Sequence, residues 1–119
     1  MTAPVTRTES EFYEVKPNTP VTLSVMIGET NVGGTDVARD GDPLGNGAIT
    51  GLVIGMPNEN LKKKTVDCIT TVQRKNSATT RTSVTYQLRG GVNDRDFTYE
   101  LTVPELNGRA VYDVTFIFS

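Results

Sequence analysis

The alternation pattern of this chain predicts an all-β fold, an antiparallel β-sandwich of about seven strands. Apolar and polar residues alternate with period two along successive short segments. Clusters of Gly, Pro, Asn and Asp punctuate those segments at fairly regular spacing. No 3.6-residue apolar period is sustained, so no long helix is expected.

Residues Met1 to Ser10 are polar, Thr-rich and aperiodic, and read as a flexible arm or a late-joining edge strand. The sandwich domain is placed at residues 11–119, with the arm at 1–10. A first strand pattern at Glu11–Val15 ends in the turn Pro17-Asn18-Thr19-Pro20. Val21, Leu23, Val25 and Ile27 then share one parity, with Thr22 and Ser24 between them, which predicts a half-buried strand. Gly28 to Gly47 is crowded with Gly and Asp and reads mostly as loop, with at most a short strand around Thr35–Ala38. Ala48 to Met56 reads as a buried strand whose Gly51 and Gly55 mark a bulge or a close backbone approach.

Two successive strands follow. Thr65–Arg74 places Val66, Cys68, Thr70 and Val72 on one face. Thr80–Arg89 does the same with Thr82, Val84, Tyr86 and Leu88, and Lys75-Asn76-Ser77-Ala78 reads as a hairpin turn between the two. After a turn at Gly90–Asp96, Phe97, Tyr99, Leu101 and Val103 alternate with Thr98, Glu100 and Thr102. Pro104–Gly108 turns the chain into a last strand, Ala110–Phe118, with Tyr112, Val114, Phe116 and Phe118 on one face. The expected core comprises Leu23, Val25, Ile54, Val66, Cys68, Val84, Tyr86, Phe97, Tyr99, Leu101, Val114 and Phe116. The pattern resembles the immunoglobulin-like sandwich class in architecture; the Cys…Trp…Cys core of antibody domains is absent.

Composition narrows the chemistry. The chain has 119 residues, a net charge of −2 and no histidine. The lack of basic excess argues against nucleic acid as a partner, because neutralising phosphates supplies most of such affinity. Without His there is no Ser-His-Asp triad, no Cys-His dyad and no His-ligated zinc. Cys68 is the single cysteine, so no intrachain disulfide forms; its parity places it in the core rather than at a nucleophilic site. No segment is apolar enough to insert in a membrane as a helix, and no apolar leader opens the chain. The expected compartment is the cytoplasm if Met1 is native, or outside it if a leader was removed.

The sharpest local signal is acidic. Asp36, Asp40 and Asp42, with Asn46 nearby, lie in the Gly-rich stretch and make it a candidate calcium loop, although the spacing matches no EF-hand. The competing reading is a solvated turn suited to Asp and Gly. Asn93, Asp94 and Asp96 form a weaker cluster of the same kind. Gly41, Gly45 and Gly47 lack the Gly-Lys-Ser/Thr ending and following helix of a phosphate cradle. Glu100 and Asp113 both read as outward-facing and form a candidate carboxylate pair for acid–base work. Lys62–Lys64 reads as a solvated turn. Ile69, Val111 and Ile117 are apolar on otherwise polar parities, and together mark a candidate interface with another chain.

The sequence therefore favours a non-catalytic module acting through protein–protein contact, of a structural, assembly or adhesion type, with a protein partner or a homo-oligomer. A ligand-binding module using the 28–47 loop, carbohydrate being one ligand class, is the alternative. A small hydrolase with paired carboxylates ranks third, and no cofactor is implied.

Overall fold

A computed structural model describes residues 3–56 and 61–119, and it is all-β. The described strands are β1 (Val5–Tyr13), β2 (Val21–Ile27), β3 (Val32–Arg39), β4 (Asp42–Gly45), β5 (Leu52–Gly55), β6 (Thr65–Gln73), β7 (Arg81–Arg89), β8 (Arg95–Thr102) and β9 (Arg109–Phe118). They form a five-stranded sheet in the order β1-β9-β6-β3-β4 and a four-stranded sheet in the order β5-β2-β7-β8. β1 pairs with β9 in parallel, and the other strand pairings are antiparallel. The sandwich expected from the alternation is therefore present. In immunoglobulin domains the last two strands are neighbours in one sheet; here β8 and β9 lie in different sheets.

The extra strands come from the Gly-rich stretch. Residues read as mostly loop form the β3–β4 hairpin, and the reason is local. Asp40 and Gly41 both adopt positive φ, 48° and 88°, which is the conformation of a two-residue hairpin turn matched to strand twist. Gly33 is a strand residue because nothing larger fits: a Cβ there would run into the Thr71 carbonyl oxygen of β6. Glycines that look like loop punctuation thus mark a strand pressed against its neighbour. β5 is shorter than the expected 48–56 segment; Gly51 turns at φ 59°, and buried Ile49 precedes the strand.

The 75–78 segment is not a hairpin. β6 and β7 lie in opposite sheets, so this segment crosses between them. Asn31 holds the crossover, its Oδ1 accepting from the backbone N–H of Lys75 (2.8 Å) and Asn76 (3.0 Å). Buried Arg74 donates to the carbonyls of Thr79 (2.7 Å) and Pro104 (3.1 Å). Burying a guanidinium is tolerable only with such donors satisfied.

Between the sheets lies the expected core. Every residue of the expected set is buried except Val25 and Leu101, which are half-buried and pack against it. Phe116 contacts Tyr86 and Phe97, with ring centroids 5.8 Å and 5.5 Å apart, in the tilted and edge-on arrangements favoured by ring quadrupoles. The buried hydroxyls are mutually satisfied. Thr70 Oγ1 lies 2.9 Å from Thr35 Oγ1 and 2.6 Å from the Tyr86 hydroxyl, linking β3, β6 and β7. Thr82 Oγ1 lies 2.6 Å from the Tyr112 hydroxyl and donates to the Leu101 carbonyl at 3.0 Å, tying β7 to β9 and β8. These bonds avoid the cost of a buried polar group left without a partner.

The boundary placed at residue 10 falls inside a strand, since β1 runs through it. β1 is polar because it is an edge. Its inward side chains Arg7, Glu9 and Glu11 meet the rim of the other sheet rather than the core. The Arg7 guanidinium sits 5.0 Å above the Tyr99 ring and donates to the Glu100 carbonyl (3.1 Å), and the Tyr99 hydroxyl donates to Glu11. Inward charge on an edge strand discourages further strand pairing. β1 also makes β9, the most aromatic of the described strands, an internal strand with β6 on its other side.

Candidate interaction surface

Each strand of the five-stranded sheet turns one parity to the core and the other outward. On the outward parity, cross-strand register builds five rows, the one at the sheet's far end being Val32, Gln73 and Arg109, with Val32 52% exposed. Thr6, Val111, Thr71 and Gly34 form one row; Thr8, Asp113, Ile69 and Asp36 form the next. Ser10, Thr115, Asp67 and Ala38 follow, and then Phe12, Ile117 and Thr65. The candidates Ile69, Val111 and Ile117 thus share one face, with Ile69 and Val111 in diagonal positions across β6 and β9. Ile69 is 40% exposed, and Val111 and Ile117 are half-buried by their neighbours.

Phe12 was not singled out by the sequence, yet at 67% exposure it is the most exposed large apolar side chain of those described. It sits in register with Ile117. Its signal was hidden because the Glu11–Val15 pattern sets two aromatic residues side by side, Phe12 and Tyr13, and only one of them can face the core.

A carboxyl pair lies at the centre of this face. Asp113 on β9 and Asp67 on β6 occupy adjacent rows and interact directly. A hydrogen bond shared with Asp67, then desolvation and the Asp67 charge, push the Asp113 carboxyl up to about 6. Asp113 Oδ1 is shielded from solvent and meets no hydrogen-bond donor among the described residues. Below about pH 6 a proton on the Asp113 carboxyl bonds it to Asp67. Thr115 Oγ1 donates to Asp67 Oδ1 at 3.1 Å and fixes its orientation. The sequence pairing of Asp113 with Glu100 is corrected: Glu100 belongs to β8 in the other sheet, where its carboxylate lies 3.6 Å from Arg81. Parity alone reveals which way an acid points, not which strand is its neighbour.

Beside this pair a groove of about 470 Å³ lies over β3, bounded by β4 and β6. Ala38, Pro43, Leu44 and Ile69 line it, together with the carboxylates Asp36 and Asp67. Asp36, Asp67 and Asp113 make no salt bridge with a lysine or arginine among the described residues.

The calcium candidates are not brought together. Asp36 faces outward from the middle of β3, Asp42 lies on β4, and Asp40 holds the hairpin turn. The Asp40 carboxylate is already engaged: Oδ1 accepts from the Thr65 N–H (3.1 Å) and Oγ1 (3.3 Å), and Oδ2 lies 3.9 Å from Lys64 Nζ. Among the described residues no group of three Asp, Glu, Cys or His side chains is arranged to hold a metal ion. Extension into a hairpin spreads acids that a loop would have gathered. In the second acidic turn, Asp94 and Asp96 lie 3.9 Å and 2.8 Å from Arg89.

Cys68 is fully buried, and burial, with the charges of Asp67 and Asp113 added, pushes its thiol up to about 12. It is held as the thiol at neutral pH, the form that packs rather than attacks. Lys63 and Lys64 close the end of the sheet through their backbones: Lys63 N donates to the Phe118 carbonyl (2.8 Å), and Phe118 N donates to that of Lys64 (3.1 Å). No helix among the described residues is long and apolar enough to cross a membrane. No protein-family model matches this chain, and no curated protein or solved structure matches it either.

Proposed function

We propose that this chain is a non-catalytic β-sandwich that works by contact with another protein chain through the outer face of its five-stranded sheet. One observation carries the reading: Phe12, Ile69, Val111 and Ile117 all lie on that face, with Phe12 and Ile117 side by side. Apolar side chains grouped on a sheet face, with polar residues between and around them, are the pattern of an interaction surface. An assembly or adhesion role fits a rigid sandwich whose edge β1 is blunted by inward charge, leaving the face rather than the edge to make the contact.

Sedimentation velocity over a wide concentration range tests it. The expected result is concentration-dependent mass, weakened by Ile117→Asp far more than that substitution lowers the melting temperature. A chain that assembles equally well with Ile117→Asp and Phe12→Asp removes this face from the contact. A chain that stays monomeric throughout removes self-association and leaves only a different protein as the partner to be sought.

A further inference from the structure

We infer that the groove over β3, bounded by β4 and β6, receives a basic side chain of a partner protein, a lysine or arginine flanked by apolar residues. The inference rests on the contact reading and names the partner's chemistry.

The groove has the size of a small-ligand site, about 470 Å³. Ala38, Pro43, Leu44 and Ile69 give it apolar surface along which the methylene stem of a long cationic side chain can lie. Asp36 and Asp67 place two carboxylates on the same lining. A planar guanidinium or an ammonium satisfies such acceptors with charge-assisted hydrogen bonds.

Charge complementarity selects this occupant. On the opposite sheet the acids are already answered: Glu100 by Arg81, and Asp94 and Asp96 by Arg89. Asp36, Asp67 and Asp113 have no such partner among the described residues. Arg39 of β3 follows groove-lining Ala38 but takes the opposite parity and donates to the Ile54 carbonyl (3.0 Å), and two further basic groups stand at the ends of the sheet. Arg109 pairs in register with Gln73, and Lys64 is beside Asp40. A metal ion is a poor alternative, since the described acids do not converge on one point.

The carboxyl pair links occupancy to protons. Asp113 is faced by Asp67 from β6, with Asp36 of β3 beyond Ile69 in the same row. From β1 it is faced by Thr8, while Arg7, Glu9 and Glu11 point to the other side of that strand. Along β9, Val111 and Thr115 flank it on this face, with Arg109 at the strand's end. Cys68 approaches from the core side. Below about pH 6 the free face therefore holds a proton on Asp113, hydrogen-bonded to Asp67, that a bound cation would displace. Binding should release that proton and strengthen as pH rises through the range where Asp113 ionises.

The probe is a dye-labelled acetyl-Leu-Arg-Leu-Arg-Leu amide, with the Glu-for-Arg peptide as control, followed by fluorescence anisotropy. The arginine peptide should bind and the glutamate peptide should not. Asp36→Asn and Asp67→Asn should each weaken binding roughly fivefold or more, while Asp96→Asn on the opposite sheet leaves it unchanged. Affinity should rise roughly fivefold between about pH 5 and about pH 7.5, and that rise should vanish in Asp113→Asn, which keeps the groove lining intact. Failure of the arginine peptide to bind, or equal binding by the Asp36 and Asp67 variants, overturns the inference. If assembly of the chain is then still weakened by Ile117→Asp, the contact reading survives without it. If Asp67→Asn abolishes self-assembly while the peptide does not bind, the occupant is a second copy and the inference is overturned in favour of that. If the peptide binds as expected but Ile117→Asp and Phe12→Asp leave assembly untouched, the groove assignment stands and the wider face falls.

Discussion

The two outer faces of this sandwich are built from similar strands but finished differently. On the four-stranded sheet Thr85 and Thr98 hydrogen-bond across β7 and β8 (2.9 Å), and Arg89 lies 2.8 Å from Asp96. Its exposed apolar groups, Met26 and Val53, are separated, one opposite Thr85 and the other opposite Thr22. Such a face has its charges met within the chain and presents water with a mixed-sign surface. The five-stranded sheet instead carries Phe12 beside Ile117, a proton-sharing acid pair, and a groove whose carboxylates meet no cation among the described residues. Both faces suit β-structure equally well, because Thr, Val and Ile all favour strands. Propensity therefore does not explain the difference; it lies in whether each face is complete by itself.

The largest effect should come from the interior that both faces share, and it sets the scale for the rest. Thr70→Val removes the hydroxyl joining Thr35 and Tyr86 and leaves two buried hydroxyls short of a partner, a loss of about 2–3 kcal/mol in urea unfolding. Because the residue faces inward, association should be unaffected per folded molecule; a parallel loss of association would blur the distinction between core and face. A paired substitution tests the faces directly. Phe12→Ser should weaken assembly roughly tenfold in sedimentation, the scale of a moderate interface residue. Met26→Ser, an exposed apolar group on the opposite sheet, should not; equal effects would break the comparison.

The acid pair predicts a pH dependence peculiar to one face. The Asp113 carboxyl titrates at about 6 in the folded chain, raised from 3.8. The folded state thus holds this proton more tightly than the unfolded one. The pair's stabilising contribution is fully present below about pH 4 and is lost as pH rises through about 6. Asp113→Asn should flatten that slope and raise stability at neutral pH, by about 1 kcal/mol or less once solvent screening is allowed for. Urea midpoints measured across that range check it, and an unaltered slope would remove the shared proton. On the opposite face, Arg89→Ala breaks exposed ion pairs and should cost about 0.5 kcal/mol or less. The smallest effect is expected from calcium: exchanging it for chelator should leave the melting temperature unchanged, because Asp40 is engaged by Thr65 and Lys64. A rise of several degrees abolished by Asp42→Ala would restore the metal reading.

Particular residues show where sequence was enough. Period-two alternation placed Val66, Cys68, Val72, Val84, Tyr86, Val114 and Phe116 inside, and all are buried. It also placed Ile69, Val111 and Ile117 outside the core, on the outward parity of their strands. A strand residue has only two directions to point, so local pattern decides which way it faces.

Which strands become neighbours is not local. Asp113 looked outward from its own strand, but nothing in that strand reveals that β6, rather than β8, lies beside it. The same holds for the 75–78 segment, whose composition suits a hairpin turn as well as a crossover between sheets. Gly33 reads as loop until the Thr71 carbonyl is found against it, and Phe12 and Tyr13 sit side by side in the Glu11–Val15 pattern, so which of them faces outward is decided only when β1 pairs with β9. Composition and a two-residue period are enough to read off the fold class, the buried face of most strands and the lack of histidine chemistry. The pairing order emerges only when the sheets assemble, and with it the Asp67–Asp113 contact, the groove and the exposed Phe12–Ile117 pair. Contacts between strands far apart in sequence are set by how the whole sandwich closes around its core, which no single segment encodes.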